Sequence, residues 1–212
     1  MLKNVHYINL EERKDRKELV ESELNELCWE YERFNAIKNE IGIIGCGMSH
    51  LKLIKLAKEK NLDYIVVLED DIQFMRKSWY NKKITEIINS DFNFDVFLLG
   101  GNLRPPLYKI NENICKITKS FTTTGYIVKQ HYYDTLINNI KEGIQLLLKN
   151  PDGEYNSNAI DCHWMKLQAK DNWLIIMPRT ITQRPIYSDI EQRYTDYNHL
   201  MLDDMSNIRN HD

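Results

Sequence analysis

The stretch Asp63-Tyr64-Ile65-Val66-Val67-Leu68-Glu69-Asp70-Asp71 carries the sharpest change of character in the chain, a continuous apolar run that stops in three consecutive carboxylates. A run of this kind reads as a strand buried on both faces, as in the sheet of a layered α/β domain. Adjacent carboxylates at its C-terminal end repel one another unless a cation or hydrogen-bond donors neutralise them. Hard oxygen ligands suit Mg2+ or Mn2+, and such an ion, held by one or two carboxylates, keeps positions open for phosphate oxygens. Ligands in open α/β sheets also bind beyond the carboxyl ends of strands, where this cluster falls. A solvated acidic turn capping the next segment would show the same residues.

Upstream, Gly42-Ile43-Ile44-Gly45-Cys46-Gly47 reads as a glycine-punctuated loop, with Ser49 as the N-cap of a helix carrying Leu51, Ile54 and Ala57 inward. Its NH groups and helix dipole suit an anion, although the run is neither a dinucleotide fingerprint nor a P-loop, and a plain tight turn fits it too. His50, just inside that helix, fits packing or capping more readily than catalysis. Farther upstream, Val5 to Leu10 reads as a buried strand, Glu12 to Leu27 as an amphipathic helix and Trp29 to Ala36 as a second strand. Downstream come a helix over Ser78 to Asn89 and a buried strand over Asp95 to Leu99, stopping at Gly100-Gly101.

This alternation predicts an α/β fold with a central, mostly parallel sheet flanked by helices. The second half is more mixed. Strands are expected at Cys115 to Ile117, Phe121 to Val128 and Trp173 to Ile176, and helices from Tyr133 to Leu147 and near Ala159 to Lys170. A turn is expected at Asn150-Pro151-Asp152-Gly153, and the polar stretch after Pro178 has no clear assignment. With 212 residues and 42% hydrophobic content the chain can bury one sizeable core, so residues 1–212 are read as a single domain.

Lys and Arg total 28 against 31 Asp and Glu, a net charge of -3, which argues against nucleic acid or an anionic membrane as partner. Cys28, Cys46, Cys115 and Cys162 form no CxxC pair, as expected of free thiols in a reducing compartment. No stretch reads as a secretory signal or transmembrane span, so the expected setting is the cytoplasm, at most peripheral to a membrane. His6, His131, His163, His199 and His211 show no HxxxH or HxH spacing, which disfavours zinc hydrolysis, and no GxSxG elbow supports acyl chemistry.

Five segments taken in order resemble glycosyltransferase family 25, which includes bacterial lipo-oligosaccharide galactosyltransferases and collagen galactosyltransferases. They are Ile8-Asn9-Leu10 with Arg13 and Arg16, Gly42 to His50, Val67-Leu68-Glu69-Asp70-Asp71, Phe97-Leu98-Leu99-Gly100-Gly101, and Thr124-Gly125-Tyr126-Ile127. Asp161 and Ser188-Asp189-Ile190-Glu191 extend the likeness more loosely. The resemblance implies a GT-A-like nucleotide-binding sandwich, with a donor half over 1–101 and an acceptor-side half and tail over 102–212.

It further implies transfer of a hexose, with galactose as the prior, from a UDP-sugar to a glycan or protein acceptor, with inversion and help from Mn2+ or Mg2+. Carried over residue by residue, donor binding falls to Asn9, Arg13, Arg16, Gly45, Ser49, His50, Glu69, Asp70, Gly100 and Gly101. Surface ion pairing would equally explain the two arginines. Spacing of two along an extended segment places Glu69 and Asp71 on one side as metal ligands, as in a DxD motif, with Asp70 turned away. Asp161 is the candidate base, unless it merely caps its helix, and Asp189 is the reserve. A nucleotide-sugar binding module without turnover, and a metal-dependent nucleotidyltransferase or phosphohydrolase, are the rival readings.

Overall fold

The computed structural model describes residues 2–90, 92–150 and 155–203. In chain order its elements are β1 (Val5–Asn9), α1 (Lys14–Glu26), β2 (Tyr31–Asn35), α2 (Gly42–Glu59), β3 (Tyr64–Glu69), β4 (Ile72–Phe74), α3 (Lys77–Ile88) and β5 (Val96–Leu98). There follow β6 (Asn102–Leu103), β7 (Leu107–Asn111), β8 (Ile114–Ile117), β9 (Ser120–Phe121), β10 (Gly125–Lys129), α4 (Tyr133–Lys149), α5 (Tyr155–Asn158), α6 (Ile160–His163) and α7 (Met165–Lys170). The last are β11 (Trp173–Ile176), β12 (Ile181–Gln183), β13 (Ile186–Ser188), β14 (Arg193–Thr195) and α8 (Asn198–Met201).

Side chains alternate across a strand, so a strand that is apolar throughout must be covered on both sides. Val5, Tyr7, Val66 and Leu68 meet Val20 and Leu24 of α1 and Tyr80 and Ile84 of α3 in one core. Ile8, Ile65 and Val67 meet Leu53, Ile54 and Ala57 of α2 and Leu136, Ile137 and Ile140 of α4 in the other. Each fully buried aliphatic side chain contributes about 1.5–3 kcal/mol, so both helical layers are needed to hold the sheet.

The sheet has eight strands in the order β2-β1-β3-β10-β5-β11-β8-β7. β1 lies parallel to β2 and β3, and β5 parallel to β11. β10 and β8 run against their neighbours, so the remaining six strands share one direction and the sheet is mostly parallel. The chain leaves β1 to form β2 on one side and returns to form β3 on the other. The carboxyl ends of β1 and β3 therefore open at a point where the strand order reverses, the usual place for a ligand crevice.

Several elements differ from the expectation. Gly42 to Gly47 is not a loop but the first part of α2, and Ser49 lies inside the helix rather than capping it. The inward stripe of Leu53, Ile54 and Ala57 continues upstream through His50 and Gly47 at helical spacing. The glycines serve close approach: a Cβ at Gly45 would stand 2.5 Å from the Ile37 carbonyl oxygen, and one at Gly47 3.3 Å from Ile144 of α4.

The strand expected over Phe121 to Val128 is split at Thr122-Thr123-Thr124, where Thr122 adopts a left-handed φ of 74°, costly for a β-branched residue. The helix near Ala159 to Lys170 is broken at Trp164, whose ring packs against Trp173 at 5.0 Å. After Pro178 the chain is ordered: β12 pairs with β4, and β13 and β14 form a hairpin. The turn expected at Asn150-Pro151-Asp152-Gly153 falls outside the described residues apart from Asn150. Among the described residues no helix is long and apolar enough to cross a membrane.

Candidate functional site

A cavity of about 410 Å³ opens beyond the carboxyl ends of β1 and β3. One wall is Arg13 and Arg16 at the start of α1; another is Gly42, Gly45, Cys46, Ser49 and His50 of α2; the floor is Glu69, Asp70 and Asp71. Gln183 of β12 and Ser188, Asp189 and Ile190 of the β13–β14 hairpin close it from the C-terminal side. Elements far apart in sequence thus converge on the acidic strand end.

The extended geometry assumed for the carboxylates ends at Glu69, because Asp70 and Asp71 form a turn into β4. Asp70 is consequently not turned away. It accepts hydrogen bonds from Asn9 Nδ2 at 2.7 Å and Arg16 Nη1 at 2.8 Å, and it lines the cavity with the other two. Glu69 Oε1 accepts from the Thr123 hydroxyl at 2.7 Å and lies 3.5 Å from His50 Nε2 and 3.8 Å from Cys46 Sγ. Asp71 Oδ2 lies 3.6 Å from Arg16 Nη1 and accepts a weak bond from Gln183 at 3.4 Å. Asp71 Oδ1 is buried with no hydrogen-bond partner among the described residues.

Charge is unevenly compensated. Burial, with Glu69 and Asp70 alongside, pushes the Asp71 carboxyl up to about 8 despite Arg16. Burial also raises Asp70, outweighing Arg16 and Asn9. Burial acts in the same sense on Glu69, but the His50 ring and the Thr123 hydroxyl outweigh it and hold that carboxyl below its ordinary value. Among the described residues, three carboxylates sharing one close guanidinium, with one oxygen unpartnered, form a donor set that fits a hard divalent cation.

Of the other predicted donor residues, Asn9 stands one layer back, bridging Asp70, the Arg13 carbonyl at 3.0 Å and Arg33 at 2.9 Å. Ser49 is a brace: its hydroxyl donates to the Gly45 carbonyl at 2.7 Å and accepts from the Ile37 NH at 2.8 Å. Arg13 pairs with Asp15 and Asp189, and Arg16 donates to the Tyr187 carbonyl at 2.7 Å, so both arginines tie α1 to the hairpin. Gly100 and Gly101 lie outside the cavity lining; a Cβ at Gly100 would press on Ile181 at 2.9 Å, and one at Gly101 on Ser120.

Asp161 also stands outside the lining, and it does not cap its helix, which starts after Ala159. Its Oδ2 accepts from the Thr122 NH at 3.0 Å, so it clamps the strained turn that delivers Thr123 to Glu69. Burial pushes its carboxyl up. Asp189 does line the cavity. Residues missed in the sequence are Cys46, Thr123 and Gln183. Cys46 and His50 stand four apart on one helix face, a visible signal; Thr123 and Gln183 reach the site only through sheet pairing, which leaves no local trace.

Residues 40–148 match glycosyltransferase family 25, described as an LPS biosynthesis protein family, and the chain belongs to that family. A Drosophila melanogaster glycosyltransferase 25 family member is 24% identical over 162 residues, which cover 60% of this chain and 26% of that protein. A Haemophilus influenzae protein provisionally named a glycosyltransferase is 34% identical over 93 residues, 41% of this chain and 32% of its own length. The match thus spans about a third or less of either relative's length. Among solved structures, a Thermus thermophilus mannose-1-phosphate geranyltransferase aligns with TM-score 0.49 and 9% identity, over 82% of this chain and 73% of that one.

Proposed function

We propose that the chain is a glycosyltransferase that binds a nucleotide-sugar donor over Glu69, Asp70 and Asp71 and transfers its hexose to a hydroxyl of a glycan or protein acceptor. The observation that carries this reading is the buried Asp71 Oδ1, unpartnered among the described residues, on the floor of a strand-end cavity with two arginines in its wall. Family membership supports the reaction class. A UDP-hexose, with galactose first among sugars, and an inverting course are what the family resemblance favours. The donor belongs to the half over 1–101 and the acceptor to the side over 102–212, in a cytoplasmic or membrane-peripheral setting.

Glu69 and Asp71 would hold Mn2+ or Mg2+, which supplies positive charge to the departing diphosphate. Arg13 and Arg16 can meet phosphate oxygens through charge-assisted hydrogen bonds, and the start of α2 adds a favourable dipole. Inversion needs the acceptor oxygen to bond to the anomeric carbon as the bond to the diphosphate breaks, with the hydroxyl proton passing to a carboxylate. Asp189 takes that role in preference to Asp161, because it lines the cavity while Asp161 supports the Thr122 turn. The pairing of Asp189 with Arg13 favours a second reading, a donor-binding module without turnover.

A panel of UDP-, GDP- and CMP-hexoses incubated with Mn2+, Mg2+ or EDTA tests the proposal. Slow, metal-dependent release of UDP from one sugar is expected. Saturable binding with no release under any condition selects the module, and absence of binding removes the donor reading.

A further inference from the structure

Cys46 and His50 occupy adjacent turns of one face of α2, and Glu69 ends the strand beneath them. Their donor atoms, Sγ, an imidazole nitrogen and a carboxylate oxygen, all lie within 4.8 Å of one another. His50 Nε2 stands 3.5 Å from Glu69 Oε1, and Cys46 Sγ stands 3.8 Å from the same oxygen. Zinc holds thiolate sulfur at about 2.3 Å and imidazole or carboxylate at about 2.0–2.2 Å, so tetrahedral ligands sit roughly 3.3–3.6 Å apart. The two separations to Glu69 Oε1, 3.5 and 3.8 Å, already stand at or close to those values.

A second observation points the same way. The His50 side chain is 1% exposed, yet its Nε2 has no hydrogen-bond partner among the described residues. Its other nitrogen, Nδ1, is 2.8 Å from the Tyr126 hydroxyl, which would accept the Nδ1 proton once a cation takes the place of the Nε2 proton that faces Glu69. Metal-bound imidazoles ordinarily donate their second ring NH in this way. Thr123, donating to Glu69 at 2.7 Å, orients the carboxylate likewise. All three residues line the cavity, which leaves a fourth position open toward it.

We propose that Cys46, His50 and Glu69 form a three-ligand site for a borderline-soft divalent ion, Zn2+, next to the hard-cation cluster and distinct from it in ligand type. Thiolate and imidazole select such an ion over Mg2+ or Mn2+. Glu69 is common to both groups, so occupancy of one constrains the other.

The test uses metal alone and therefore stands or falls separately from the donor reading. The full chain is loaded with one equivalent of Co2+ as a spectroscopic substitute for zinc, in native form and as Cys46→Ser, His50→Gln and Cys28→Ser. A thiolate-to-cobalt charge-transfer band, displaced by Zn2+, is expected in the native chain and in Cys28→Ser. It should disappear in Cys46→Ser, and His50→Gln should weaken binding at least tenfold. Zinc-edge X-ray absorption of the native chain, which needs no variant to fold, should show one sulfur among nitrogen and oxygen ligands. A sulfur-free shell, failure to bind Zn2+, or a band that survives in folded Cys46→Ser would overturn the proposal.

Discussion

The acidic strand end and the C-terminal hairpin meet across one cavity but are built by opposite means. Glu69 to Asp71 follow a strand buried against two helical layers, so their backbone is fixed by the cores of the sandwich. The hairpin of Ile186–Ser188 and Arg193–Thr195 is a separate two-stranded sheet, with Tyr187 and Tyr194 largely exposed. It is drawn onto the site by Arg13 on Asp189 and Arg16 on the Tyr187 carbonyl. The floor of the site is thus positioned by packing and its cover by charge. Disturbing the floor should change chemistry and global stability together, whereas disturbing the cover should act locally.

The largest effect is expected at Asp71. Loss of one preorganised electrostatic group typically costs about 10²–10³ in turnover, so Asp71→Asn should lower transfer by about that factor. Its stability should move the other way. The raised carboxyl favours the protonated fold, a contribution present in full below the ordinary range near 3.8 and lost as pH rises through about 8. The melting temperature of Asp71→Asn should therefore exceed that of the metal-free native chain by a margin that grows from pH 4 to pH 8 and then levels off. A constant margin in thermal scans would contradict the assigned burial.

Arg16 belongs to both regions, and its side chain is only 11% exposed. Arg16→Gln removes the close partner of the buried Asp70 carboxylate and should cost about 3–5 kcal/mol in urea unfolding at pH 7. Gly45→Ala sharpens the case for the floor: a methyl 2.5 Å from the Ile37 carbonyl oxygen should cost about 1–3 kcal/mol, although alanine is the better helix former. Stabilisation there would mean the segment is free to move. The smallest change is expected for Arg13→Gln, under about 1 kcal/mol globally because its partners are substantially exposed. Faster amide hydrogen exchange should be confined to residues 186–195.

The same division governs what the sequence reveals. β1, β3, α1 and α4 are legible because burial on two faces or on one helical stripe leaves a periodic imprint. The acidic cluster is legible because carboxylates after an apolar strand have no packing purpose. Gly42 to Gly47 misleads, since glycine in a turn and glycine admitting a neighbour look alike; only the positions of Ile37 and Ile144 separate them. Asp70 misleads because the two-residue period ends where the strand ends. The hairpin leaves no apolar imprint, so Asp189 surfaces only through family likeness, and the path from Asp161 through the Thr122 turn to Glu69 depends on a strained backbone that no local pattern announces.

Whether Asp71 holds a metal that grips the donor is decided by calorimetric titration of the metal-free chain with UDP, with and without Mn2+, for the native chain and Asp71→Asn at pH 7. One saturable site is expected, which Mn2+ tightens at least tenfold in the native chain and leaves unchanged in Asp71→Asn. Equal tightening in both chains, or no UDP binding by the native chain, would contradict it.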